Sequence, residues 1–190
     1  MAFDPTPSPT AREAAEHAIH QHRPLLHAPA PQAPLPARPA DQMARIRANI
    51  DGAASGYVAM AVVKAAREHQ SPHAVLDRLV GDHVQQAQAA QRAFDISAHR
   101  QAWGTEHARL HAAAATCYAA DSPEAREHLR HATEHQAWVA QHADQHAMLA
   151  DSCHGARDSL DAATRALAQC APDRVRQPAP RAAVTVGMGR

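Results

Sequence analysis

Aromatic residues are almost missing from this 190-residue chain: two Trp, two Tyr and two Phe, 3 % of the total. A core without rings must be built from aliphatic side chains, and here most of those are alanine. At roughly 25 cal/mol per Å² of apolar surface removed from water, an alanine contributes far less than a leucine. Such a chain folds as closely packed helices or completes its core against a partner.

Lysine is scarcer still, with Lys64 alone. Lys plus Arg equals Asp plus Glu, so the net charge is zero with neutral histidine. A nucleic-acid surface needs a basic excess, so no nucleic-acid partner is expected. The three cysteines, Cys117, Cys153 and Cys170, are odd in number and lack CxxC spacing. That excludes a disulfide framework and a thiolate metal motif, and fits a reducing compartment.

The first residues have neither a basic stretch nor an apolar run of the leader type. The most apolar segment, 57–63, is too short to span a bilayer. No membrane partner and a cytoplasmic location are expected, compatible with export by a route that uses no cleaved leader. GxSxG, Walker, GxGxxG and HExxH patterns are missing. Cys153 and His154 are adjacent and diverge by about 100° on a helix, which separates them as a nucleophile–base pair. The chain reads as non-enzymatic.

Proline is plentiful, and it is concentrated. Pro24, Pro29, Pro31, Pro34, Pro36 and Pro39 remove amide donors and push the chain out of helix. Residues 1–40 are expected to form a Pro-rich disordered segment with a short helix over 12–22. Residues 41–170 are expected to form one helical domain, and 171–190 a disordered basic tail.

Within the domain, Asp41 caps a helix to Ile50, which Asp51-Gly52 ends. A second helix over 55–69 is apolar on most sides and should be largely buried. Ser71-Pro72 and Ser122-Pro123 each pair an N-cap with proline at the first helical position. They open two long helices, 72–119 and 123–170, each about 70 Å at 1.5 Å per residue. A short connection makes them antiparallel. The fold class is therefore all-α: a coiled-coil-like helical hairpin with short additional helices and disordered ends. A change of apolar phase near Asp95 predicts a kink or a cap there, and Gly104 is a second weak point.

What stands out is sixteen histidines. His128, His131, His135, His142 and His146 project into an arc of about 60° on one helix. Imidazole is the commonest metal ligand and titrates near neutral pH. The ladder continues through Leu149, Cys153, Leu160 and Leu167 as a coiled-coil seam. A rival seam of Ala125, Leu129, Ala132, Val139, Ala143, Ala147 and Ala150 runs beside it. If that seam is the core, the ladder lies at its edge.

With the turn centred on Ala120-Asp121, residues equidistant from it face each other. Trp103 then lies opposite Trp138 and His99 opposite His142. His107 and His111 lie near His135 and His131. The apolar face of the first long helix favours Trp103 and Leu110, placing those two histidines on its flank. Two HxxxH pairs across a hairpin offer four imidazoles to tetrahedral Zn²⁺ or another divalent transition metal such as Ni²⁺ or Cu²⁺. Glu106, Glu127 and Glu134 are close enough to support them. His128, His142 and His146 are further candidates.

Two functions are compatible with this pattern. One is a helical interaction or assembly module acting through a protein partner or a homo-oligomer. The other is a histidine-rich metal-binding helical protein. A third, weaker pattern is a pH-responsive switch, in which charged histidines on the seam repel one another.

Overall fold

A computed structural model describes residues 9–21 and 32–170. Helix is the regular structure of the described residues, with no strand among them: α1 Pro9–Gln21, α2 Met43–Glu68, α3 Pro72–Ala115, α4 Pro123–Gln141 and α5 Ala143–Gln169. The expected disorder of 171–190, and the prolines Pro24, Pro29 and Pro31, lie outside the described residues.

Both serine starts form as read. Ser71 Oγ accepts from the Ala74 amide and Ser122 Oγ from the Ala125 amide, each at 3.1 Å, with proline next in line. The α2–α3 corner turns on His69, which takes φ 53° and closes α2. The Gln70 amide then reaches back to the Ala65 carbonyl at 3.0 Å, the bond that ends many helices with a left-handed residue.

The helix expected to stop at Asp51-Gly52 continues, so α2 is one helix of 26 residues. Glycine costs about 1 kcal/mol in a helix interior. The continuous stripe of Ile50, Ala54, Ala61 and Ala65 is buried against α3 and α5 and outweighs that cost. Asp41 sits in a 3-10 turn, Ala40–Gln42, ahead of α2 and makes no capping bond to it. Nor is α2 buried on most sides: Met60, Val62 and Val63 are exposed.

No break occurs in α3 at Asp95. The carboxylate is buried, where it accepts from the Ala33 amide at 2.9 Å and from Gln91 Nε2 at 2.7 Å. It caps a different segment instead of its own helix. That segment, 32–39, has no regular structure and lies against α3 and α5. Gln91 Nε2 donates to the Ala33 carbonyl, Arg38 makes a two-pronged pair with Asp158 at 2.8 and 2.9 Å, and Leu35 packs beside Phe94. α3 itself ends at Ala115, four residues before the expected 119; the Cys117 and Tyr118 amides bond back to the Ala114 and Ala115 carbonyls.

The last long helix divides at His142, giving α4 and α5. His142 Nδ1 lies 2.8 Å from the Trp138 carbonyl, the same acceptor its own backbone amide uses at 3.2 Å. A side chain that enters the helical ladder in this way bends the helix.

The core runs in three sections. Residues of α2, the start of α3 and the end of α5 meet around Leu76, Val75, Ala162 and Ala166. Phe94, Ala150 and Cys153 form the middle. The far end is two helices only, α3 against α4, with α1 laid on α3 beside the connection. Tyr118 fastens α1: its hydroxyl donates to Glu16 Oε1 at 2.6 Å, and the Arg12 guanidinium lies 4.8 Å above its ring.

Candidate metal centre

The two-helix end is where the histidines collect. Its packing is set by Gly104, where an added Cβ would lie 2.8 Å from Val139 Cγ2 and 3.2 Å from Trp138 Cε3. The missing side chain lets α4 lie close to α3. The face of α3 that meets α4 is therefore Gly104, His107, Ala108, His111, Ala114 and Ala115, all buried. This corrects the expectation that Trp103 and Leu110 lead that face; both are half-buried, and His107 and His111 stand at its centre. On α4 the buried positions are Ala125 and Ala132. The ladder of His128, His131, His135, His142 and His146 is half-buried along their edge.

His111 is the hub. Its ring centroid lies 5.0 Å from that of His131, 5.3 Å from His128 and 5.7 Å from His135. His107 lies 5.3 Å from His135, and Trp103 covers both, 4.3 Å from His107 and edge-on to His135 at 5.2 Å. The hairpin register read from the turn therefore holds here. Of the four imidazoles expected at one ion, three come together: His107, His111 and His135 each offer a ring nitrogen within 4.8 Å of the other two.

His131 is drawn elsewhere. Its Nε2 lies 3.0 Å from Glu127 Oε1 and its Nδ1 3.3 Å from Glu134 Oε2, both on its own helix. Arg130 ties the same two carboxylates together, and its hydrogen bond is the largest cause of the Glu127 pKa falling to about 2. Three- and four-residue spacing on one helix face lets these carboxylates hold both ring nitrogens of His131, even though its ring lies beside that of His111 across the hairpin. Glu106 pairs with Arg109 at 2.8 Å.

His142 and His146 stand apart from the cluster. His142 stacks on Trp138 and bonds its carbonyl. His146 stacks on Phe94 at 4.9 Å and lies 3.0 Å from Ser97 Oγ. His99 Nε2, expected opposite His142, is buried with no hydrogen-bond partner. Trp138, expected opposite Trp103, packs over Gly104. Cys153 and His154 diverge as expected: the thiol donates to Gln91 Oε1 at 3.2 Å, and His154 Nε2 lies 3.0 Å from the Pro36 carbonyl.

Electrostatics favour neutral, metal-ready rings. Burial, followed by repulsion from His128, His131, His135 and His107, pushes the His111 pKa from 6.5 to about 4. Burial and then His107 and His131 lower that of His135. At neutral pH His111 therefore has a lone pair to give without first losing a proton.

No family model matches the chain, and neither a curated protein nor a solved structure matches it. The chemistry of the site is read from its own residues. Three imidazoles with a fourth position left to water is a ligand set that zinc accepts. His128, a secondary candidate in the sequence, has its Nδ1 3.0 Å from His111 Nδ1. The signal was present, since the turn register already brings 128 close to 111. Tyr118, expected inside the first long helix, lies past the end of α3 with its ring 5.4 Å from that of His128.

Proposed function

We propose that the protein binds a divalent transition metal, Zn²⁺, Ni²⁺ or Cu²⁺, between α3 and α4. The observation that carries this reading is the mutual spacing of the His107, His111 and His135 nitrogens, all within 4.8 Å. Imidazole suits each of these ions, and the lowered pKa values of His111 and His135 keep protons from competing at neutral pH. Metal analysis of the untagged protein, followed by titration, tests it. His107→Ala, His111→Ala and His135→Ala are each expected to remove high-affinity binding, whereas His131→Ala keeps most of it. Equal loss in all four variants, or binding unchanged in His111→Ala, overturns the assignment.

Assembly through a helix face is the second reading, and one observation favours it. Gly52, Gly56, Ala59, Val63 and Ala66 follow coiled-coil spacing on the outward face of α2, and all are exposed. Met60 and Val62 flank them, exposed as well. Surface helices ordinarily carry charge on that face.

A further inference from the structure

We propose that His128 is a positioning residue for the metal centre, holding His111 in the tautomer that carries its proton on Nδ1 and leaves Nε2 bare as the ligand nitrogen. The inference rests on the metal reading and adds a part to it.

The Nδ1 atoms of His111 and His128 are 3.0 Å apart. Two bare nitrogens at that distance would oppose lone pairs, and two protonated ones would oppose N–H groups. The contact therefore contains one proton, and one ring donates it to the other. A neutral imidazole that ligates a metal through one nitrogen keeps its proton on the other, and the partner of that N–H fixes the ring. With Nδ1 of His111 engaged by His128, Nε2 is the nitrogen left for the ion. The proton must then sit on His111 Nδ1, with His128 Nδ1 accepting.

The neighbours suit His128 to this part. His131 has each ring nitrogen on a carboxylate of α4. His107 and His135 belong to the ligand trio. His128 is itself braced: its ring lies against Tyr118, which Glu16 and Arg12 hold from α1. The first helix thus supports the centre at second hand, through Tyr118 and His128.

The test is Zn²⁺ titration of the full chain, as wild type, His128→Ala and His128→Asn, alongside long-range nitrogen–proton NMR that assigns histidine tautomers. Asparagine keeps an acceptor oxygen near the place of the imidazole Nδ1. Wild type is expected to show His111 protonated on Nδ1, both metal-free and Zn²⁺-loaded. His128→Ala is expected to weaken Zn²⁺ binding by roughly 10–100-fold, the usual cost of losing such a partner. His128→Asn is expected to restore most of that loss. A wild-type chain that takes no Zn²⁺ overturns the metal reading itself. A chain that binds Zn²⁺ with His111 protonated on Nε2, or equally well as His128→Ala, overturns the role of His128 alone. So does an equal loss in both variants with a metal-shifted His128 nitrogen, which would make it a ligand.

Discussion

Gly104 is the residue on which the histidine cluster depends. A methyl group there meets Val139 Cγ2 at 2.8 Å, and valine has no rotamer slack to yield. Overpacking costs about 1–3 kcal/mol, and the gain in helix propensity offsets about 1 kcal/mol of it. Gly104→Ala is therefore expected to lower the urea midpoint, although an exposed helical glycine would respond in the opposite sense. His111 makes a second residue-scale prediction. Its folded pKa of about 4 lies below its ordinary 6.5. The unfolded chain takes up a proton at this ring where the folded chain does not, so stability is lost as pH falls. The contribution is complete above about pH 6.5, declines toward about pH 4 and is level below. Without metal, the unfolding free energy of wild type relative to His111→Leu should fall across that window. A flat difference would show that the ring is not held neutral.

At the scale of elements, α1 is the least supported helix. It has 13 residues, a length that is marginal in water without tertiary contacts. Side chains tie it to the rest of the chain just past the end of α3: Tyr118 on Glu16, Arg12 over Tyr118, and the Cys117 thiol near the Ala11 carbonyl. Tyr118→Phe keeps the ring and removes the hydroxyl. Hydrogen-exchange protection of residues 9–21 is expected to drop sharply, with α2 and α5 unchanged. Retained protection would mean that the ring alone holds the helix. The bend between α4 and α5 has a comparable local cause, because His142 shares the Trp138 carbonyl with its own amide. Neither proline nor glycine marks that place; a four-residue stutter from His142 to His146 in the ladder's 3-4 spacing does.

For the molecule as a whole, the notable feature is how much small apolar surface α2 turns outward. Bundle helices with one buried face usually present charge on the other. If assembly uses this face, sedimentation should show self-association that strengthens with concentration. Val63→Glu should then reduce it while helicity is kept, since Val63 is 53 % exposed. An association that Val63→Glu leaves intact would place the interface elsewhere. The histidine cluster proposed to bind metal lies at the other end, between α3 and α4, so the two readings can be tested apart.

What the sequence determined by itself was local and periodic. Serine–proline starts, helical spacing and a short connection specify the two long antiparallel segments. The same connection sets the register that brings His107 and His111 to His135. These features are legible because capping and hairpin geometry depend on residues near one another in the chain. Tertiary structure decided what depends on distant partners. Burial of Ile50 through Ala65 carried α2 past a glycine, and Asp95 became a cap for residue 33 instead of a break in α3. The close approach at Gly104 placed two histidines at the centre of an interface that apolar patterning had assigned to Trp103 and Leu110. Side-chain pairing then chose among the imidazoles: Glu127 and Glu134 hold the nitrogens of His131, whose ring stays beside His111, and three other rings share one point. Spacing along a helix says which histidines can meet; burial and competing carboxylates select which ring nitrogens converge on one point.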